Sequence, residues 1–188
     1  MSRTHQVILP KPFVFFWFMF STTIGMNAQQ DIDHWEAVLT DGTSWHYLVP
    51  ASQPNAAWNT PEFNDDSWLE GPSGFGYGDG DDATIVSSTP SLYLRHTFQV
   101  ENIDSWLDVD FFMDYDDGFV AYLNGTEIAR GNAGSTGSFI AWNQNLATDH
   151  EAVLYAGGVP PIFDFDFAGL LVEGANNLSI ELHNVNPN

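Results

Sequence analysis

Residues 106–130 read WLDVDFFMDYDDGFVAYLNGTEIAR, and the pattern of their side chains decides the fold class. Side chains alternate over residues 107–111 and again over 119–123, with the two-residue period of β-strands. The two segments meet across the acidic residues 114–118. Asn124-Gly125 favours a type I′ turn, which returns the chain as a third strand over 127–129. The stretch therefore predicts a three-stranded antiparallel meander.

Similar alternation recurs elsewhere, most clearly over residues 44–50, 91–100 and 178–183. Weaker strand patterns lie over 139–142, 151–155 and 163–167. Residues 53–82 lose the alternation but are rich in aromatic residues, which predicts an ordered wrap on the surface of the sheets rather than disorder. No segment has a convincing helical period. Short strands separated by Gly, Pro and Asn predict an all-β protein, an antiparallel β-sandwich.

The first 28 residues have the layout of a secretory signal peptide. Arg3 and Lys11 precede an apolar run over residues 13–25, and Ala28 supplies a small residue before a cleavage point. The run is about 13 residues long, whereas a membrane-spanning helix needs about 20. We predict a signal peptide over 1–28, one domain over 29–188, a secreted or cell-surface location, and no membrane insertion after cleavage. A retained membrane anchor is the alternative.

The charge of the remaining chain is strongly negative. Arg3 and Lys11 are the only charged residues before residue 29, so 25 acidic residues face two basic ones, a formal charge of about −23. Such a chain cannot neutralise phosphates, which argues against nucleic acid as a partner. No cysteine is present, which excludes disulfides and thiolate metal sites.

Five blocks of residues occur in an order typical of one family. They are Trp58 with residues 63–68, residues 74–84, residues 92–98, residues 114–127 and residues 174–184. In these blocks the chain resembles the galactose-binding-like β-sandwich (jelly-roll) domains of exported bacterial multidomain proteins, which often precede CotH-type, lamin-tail or hydrolase modules. The family pattern continues to a further strand after the segment ending near His183. The resemblance therefore implies that the domain is truncated at its C-terminal end and that further domains of the same polypeptide follow residue 188.

Two Asp-rich loops punctuated by glycine are candidate metal sites. Calcium takes six to eight oxygen ligands, which closely spaced aspartates supply. The alternative is that these aspartates cap turns and face solvent. The candidate ligands are Asp79, Asp81, Asp82, Asp114, Asp116 and Asp117.

Aromatic and amide side chains suggest a carbohydrate site, because sugar rings stack on aromatic faces and bind polar groups beside them. Trp142 with Asn143 is the leading candidate, followed by Tyr115 and Tyr77. Arg95 is a candidate for binding a ligand carboxylate or hydroxyl, although a structural ion pair is the first alternative. Most other tryptophans are expected to be core residues.

The sequence lacks the HExxH and Gly-x-Ser-x-Gly motifs of common hydrolases. Aspartates are too abundant for any pair to indicate a glycosidase. We therefore predict a non-catalytic binding module of a larger secreted protein, with a carbohydrate or cell-surface glycan as its partner. The alternatives are a structural spacer or adhesion domain, and the accessory domain of a hydrolase whose catalytic part lies outside this chain.

Overall fold

The computed structural model describes residues 32, 34–78, 80 and 82–186, together with the backbone of residues 16–20. These residues form twelve strands and two short 3₁₀ turns, at Ile103–Ser105 and Leu154–Ala156. No helix of the described part is long and apolar enough to cross a membrane. The strands are β1 (Phe16–Phe20), β2 (Glu36–Ala37), β3 (Ser44–Leu48), β4 (Leu69–Pro72), β5 (Phe75–Gly76), β6 (Thr84–Ile85), β7 (Ser91–Val100), β8 (Val109–Met113), β9 (Gly118–Leu123), β10 (Thr126–Gly131), β11 (Ile162–Asp164) and β12 (Gly174–His183).

The strands form two antiparallel sheets and one short parallel pair. The larger sheet has the order β10-β9-β12-β7-β3-β4, and the smaller sheet has the order β11-β8-β1-β2. The parallel pair is β5 with β6. The prediction of an all-β antiparallel sandwich is confirmed, and β7 spans the predicted residues 91–100.

The core lies between the two sheets. Leu94 and Ile180 of the larger sheet and Phe111 and Met113 of the smaller sheet are fully buried and belong to one apolar cluster. The ring of Phe111 contacts the ring of Phe119 across the layers, with 6.2 Å between centroids. The alternating pattern of the sequence thus produces a single apolar interior, because each strand directs every second side chain inward.

The predicted three-stranded meander over 106–130 is wrong in one respect. Strands β9 and β10 pair as expected. Strand β8 instead pairs with β1 and β11 in the smaller sheet. Residues 114–117 therefore cross from one sheet to the other, and do not form a hairpin turn. Alternation predicts a strand but does not identify its partner, which depends on contacts with distant segments.

The turn between β9 and β10 has the predicted backbone. Asn124 and Gly125 have φ angles of 49° and 85°, as a type I′ turn requires at both central positions. The Nδ2 atom of Asn124 donates to the Leu170 carbonyl and to Asn176 Oδ1, both at 2.8 Å. Asn176 is buried inside β12, which begins at Gly174, so the Asn124 side chain connects the turn to that strand.

Two of the weaker strand predictions are also wrong. Residues 139–142 form no strand, although Ile140 is buried with Val120 and Ala133 against the outer face of the larger sheet. Residues 151–155 end in a 3₁₀ turn at Leu154–Ala156. In both segments a few apolar residues pack locally without strand hydrogen bonds.

Of the predicted wrap over residues 53–82, residues 53–68 form a wrap over the outer face of the larger sheet, whereas the rest includes strands β4 and β5. Trp58 is buried, and its ring meets the edges of Tyr93 and Tyr122 with centroid distances of 4.8 and 5.6 Å. It also stacks with Trp68 at 6.5 Å. The aromatic content of this segment therefore serves to attach it to the sheet.

Arg95 connects the wrap to the sheet. Its side chain is only 2% exposed, and its Nε donates to Asp65 Oδ2 at 2.7 Å. The remaining guanidinium nitrogens donate to the carbonyl oxygens of Trp58 and Phe63 and to Ser179 Oγ. This is the structural ion pair that the sequence left open as the first alternative for Arg95.

Most of the predicted signal peptide, residues 1–15 and 21–28, lies outside the described residues. Within it, residues 16–20 form β1, which lies between β8 and β2 in the smaller sheet. The signal peptide and its cleavage stay predictions.

Replacing Arg95 tests whether the wrap depends on this one side chain. Arg95→Met leaves two carbonyl groups without the Arg95 donor and leaves Asp65 with His46 as its remaining charged partner, so we expect the free energy of unfolding to fall by about 3 kcal/mol or more. Equilibrium unfolding in guanidinium measures the change. Glu62→Gln, an exposed change in the same wrap, is the control and should alter stability by less than about 0.5 kcal/mol. Equal stability of Arg95→Met and the wild type would contradict this role.

Asp65 gives the wrap a pH dependence. Burial alone would raise the pKa of Asp65, but hydrogen bonds and charges from Arg95 and His46 outweigh it and lower that pKa below its ordinary value of about 4. A lowered folded-state pKa stabilises the fold above the unfolded-state pKa, and that contribution is lost as pH falls through the folded-state value. Unfolding measured below about pH 4 should therefore show a shallower loss of stability in Asp65→Asn than in the wild type. An equal loss of stability with falling pH in the two proteins would contradict the coupling of Asp65 to Arg95 and His46.

Candidate functional site

A cavity of about 630 Å³ opens at one end of the sandwich. Strands β7 and β9 begin at this end, and strand β12 ends there. The three strand ends lie side by side because His183 is paired with Ser91 on one side and with Gly118 on the other. Loops that leave these strands therefore converge there. The cavity is lined by residues from four segments, namely 74–92, 114–117, 151–155 and 182–186.

The structure brings the two predicted Asp-rich loops to this one cavity. Asp82, from the first loop, and Asp114, Asp116 and Asp117, from the second, all line it. Asp79 and Asp81 lie outside the described residues. The two loops are separated by more than 30 positions in the sequence, so their convergence is a property of the sheet topology.

Asp114 and Asp117 hold neighbouring segments through backbone amides. Asp114 is 2% exposed, and its two oxygens accept hydrogen bonds from the N–H groups of Val153 and Leu154 at 2.8 and 3.1 Å. The two oxygens of Asp117 accept from the N–H groups of His150 and Val185 at 3.0 and 2.7 Å. Both carboxylates therefore act as structural acceptors that tie the cavity walls together, and not as the solvent-facing turn caps of the alternative interpretation.

Burial raises the pKa of Asp114 above its ordinary value, although the two amide hydrogen bonds and the nearby His150 act in the opposite direction. Desolvation disfavours the charged form of a carboxyl group more strongly here than the two N–H groups favour it.

The described residues do not supply a convincing calcium site. Among them, no group of three or more acidic or histidine side chains is arranged to hold a metal ion. Two of the six predicted ligands already use both oxygens for backbone amides. Because Asp79 and Asp81 lie outside the described part, calcium binding stays a prediction.

The loop that carries Asp82 packs closely. A Cβ atom added to Gly76 would lie 2.1 Å from Asp82 Oδ1. The absence of a side chain at Gly76 therefore allows the carboxylate to lie against the β5 backbone, in the wall of the cavity.

Three tyrosines line the cavity but differ in exposure. Tyr115 is 6% exposed, and its ring stacks on His150 at 4.0 Å with an interplanar angle of 9°. Tyr77 is half-buried, and its hydroxyl accepts a hydrogen bond from Asn184 Nδ2 at 3.1 Å. Tyr155 is 51% exposed. One face of Tyr115 is thus covered, and Tyr155 presents the most accessible ring.

The other predicted ligand-binding residues lie outside the cavity lining. Trp142 is half-buried, its backbone N–H donates to Gln53 Oε1, and its backbone carbonyl accepts from Ser91 Oγ at 2.6 Å. Ser91 lines the cavity, whereas Trp142 does not. Asn143 is exposed beside Trp142, and Arg95 is buried beneath the wrap.

Sequence reasoning missed Tyr155, Glu151, Asn184 and Asn186, which also line the cavity. Tyr155 and Glu151 come from a segment that resembles a short strand in sequence. The Gly-Gly and Pro-Pro pairs that follow Tyr155 signal a loop, and a tyrosine in such a loop was the available clue. Asn184 and Asn186 follow β12 and carry no recognisable motif.

No protein-family model and no curated protein matches the chain. Among solved structures, the chain is similar in fold to a β-glucuronidase from glycoside hydrolase family 2, at 15% identity and a TM-score of 0.48, over 95% of this chain and 15% of that one. It is also similar to an uncultured Clostridium sp. β-glucuronidase, at 18% identity and a TM-score of 0.46, over 76% of this chain and 21% of that one. A third similar structure is a Bifidobacterium dentium β-glucuronidase complexed with coumarin-3-O-glucuronide, at 13% identity and a TM-score of 0.48, over 76% of this chain and 19% of that one. The chain spans about a fifth or less of these enzymes, and no functional conclusion follows from likenesses this distant.

Replacing Asp114 tests its structural role. In Asp114→Asn a single carbonyl oxygen faces two N–H donors, so at least one buried donor loses its acceptor, which costs about 1–3 kcal/mol. We expect a lower free energy of unfolding and faster hydrogen exchange at the Val153 and Leu154 amides. Glu151→Gln, a change at an exposed residue of the same cavity, is the matched control. Unchanged protection of both amides in Asp114→Asn would show that the carboxylate does not hold this wall.

Proposed function

We propose that the chain is a non-catalytic carbohydrate-binding module and that the cavity at the loop end of the sandwich is its binding site. The observation that supports this most strongly is the cavity itself. Its volume of about 630 Å³ lies within the range of about 300–1,000 Å³ typical of small-molecule sites. Its walls combine the rings of Tyr77 and Tyr155 with the amide of Asn184.

These groups suit a sugar. The exposed ring of Tyr155 offers a flat apolar surface on which the C–H face of a sugar can pack. Carboxylates accept hydrogen bonds from hydroxyl groups, and the side chain of Asn184 both donates and accepts. A few polar groups beside an aromatic platform fix the orientation of a ligand.

Two of the five carboxyl groups that line the cavity are held in a way that supports binding without catalysis. A glycosidase needs one carboxyl group that delivers a proton and a second that attacks or activates water. Asp114 and Asp117 have both oxygens engaged by backbone N–H groups. Neither is placed to exchange a proton with a ligand without breaking the wall of the cavity.

We further propose that the module belongs to a larger exported protein, at the cell surface or secreted. The leader-like composition of residues 1–28 and the resemblance of the ordered blocks to exported multidomain proteins support this part of the proposal. A spacer without a ligand is the competing function.

Screening immobilised glycans with calcium and with a chelator tests the proposal and the calcium prediction together. We expect binding to at least one glycan class. Tyr155→Ala should weaken that binding about tenfold, because loss of an aromatic contact at a binding site costs more than about 1 kcal/mol and 1.4 kcal/mol is tenfold. Titration calorimetry with the selected glycan measures the ratio.

Phe139→Ala is the matched control, since Phe139 is also an exposed ring, 75% accessible, and does not line the cavity. It should bind like the wild type. Absence of binding to every glycan under both conditions would favour the spacer. Equal losses in both variants would place the site elsewhere.

A further inference from the structure

The charge of the cavity determines which sugars it can accept. The cavity and its rings define the site, and this inference rests on the carbohydrate-binding function proposed above. Its described lining contains five carboxyl groups and no lysine, arginine or histidine. The carboxyl groups belong to Asp82, Asp114, Asp116, Asp117 and Glu151.

The two arginines of the described residues are used elsewhere. Outside residues 1–28 the sequence has only Arg95 and Arg130. Arg95 pairs with Asp65 beneath the wrap. Arg130 forms a bidentate pair with Glu127, with both N–O distances at 3.0 Å, and donates to two carbonyl oxygens of the loop after β10. Both cations are therefore neutralised, and neither lines the cavity.

Two histidines, His150 and His183, lie next to the cavity without lining it. His150 stacks on Tyr115, and its Nδ1 atom lies 3.1 Å from the Tyr115 carbonyl oxygen. Asp117 accepts the N–H of His150, and Asp114 also lies near this ring. No described group in the lining therefore offers a positive charge to an acidic sugar.

The carboxylates are spread over three segments of the wall rather than gathered around one point. Among the described residues they form no metal-binding group. Asp116 and Glu151 are exposed, whereas Asp114 is buried. A distributed negative surface interacts favourably with a ligand that carries positive groups along its length, and it repels an anionic one.

We propose that the cavity selects amine-bearing sugars, such as glucosamine units, over their N-acetylated forms, and that it excludes uronic acids. The protonated amine meets the carboxylates of the wall while the ring packs on Tyr155. Acetylation removes the positive charge, and a uronate adds a further negative charge beside the carboxyl groups that line the cavity.

The test compares three tetrasaccharides by titration calorimetry at a pH below the pKa of the sugar amine. They are a β-1,4-linked glucosamine tetramer, its N-acetylated counterpart and a galacturonate tetramer. We expect the glucosamine tetramer to bind at least about tenfold more tightly than the N-acetylated one, with a ratio that shrinks at high salt as the charges are screened. The galacturonate tetramer should not bind measurably.

Paired variants separate the charge of the cavity from the charge of the whole chain. Asp116→Asn combined with Glu151→Gln should weaken binding of the glucosamine tetramer roughly three- to tenfold. Binding of the N-acetylated tetramer should be unchanged. Asp104→Asn combined with Glu62→Gln removes the same charge at exposed positions outside the cavity lining. This pair should change the binding of neither tetramer. Equal effects of the two pairs would attribute the preference to net charge and overturn the inference.

The outcomes also distinguish this inference from the proposed function. Tight binding of the N-acetylated or galacturonate tetramer, without an advantage for the amine, overturns the selectivity and leaves a carbohydrate-binding module. Absence of binding by all three tetramers, together with a negative glycan screen, overturns both.

Discussion

The ten-residue pairing of β7 with β12 is the constraint on which the rest of the structure depends. Both strands alternate, so Leu94 and Ile180 face the core while Arg95 and Ser179 face the opposite side. A slip of one residue would exchange these faces and bury the guanidinium in the apolar core. The same register pairs Ser91 with His183 and so fixes where the loops of the cavity begin.

The outer face of the larger sheet forms a second buried layer with a different chemistry. Glu181 is 5% exposed and accepts a hydrogen bond from the Tyr122 hydroxyl at 2.9 Å. Burial, reinforced by the charge of Glu181, raises the pKa of Tyr122 and keeps its hydroxyl a donor. Arg95 and Arg130 attach the overlying segments by ion pairs and carbonyl contacts. Arg95 and Arg130 are thus committed to this layer, and neither lines the cavity.

The sequence predicts local structure well and long-range relations poorly. Strand β7 and the β9–β10 turn follow from alternation and from Asn124-Gly125, because both signals act over a few residues. The placement of β8 in the other sheet depends on distant partners, and no local pattern encodes it. The candidate site also combines local features that the sequence predicts with long-range contacts that it does not. The Asp-rich loops are recognisable as features, but the roles of Asp114 and Asp117 depend on N–H groups supplied from positions 150–185. Tyr155 was missed because its segment resembles a short strand in sequence, whereas it forms a loop with a 3₁₀ turn.

The central claim is that loops gathered by the β7–β12 register form a ligand site at one end of the sandwich. Mapping of backbone amide chemical shifts by nuclear magnetic resonance during titration with the glucosamine tetramer tests it most directly. The account predicts that the largest shifts fall within residues 74–77, 114–117, 151–155 and 184–186. Residues 59–67 of the wrap should remain unaffected. Shifts centred on residues 143–145, or spread evenly over the acidic surface, would contradict it.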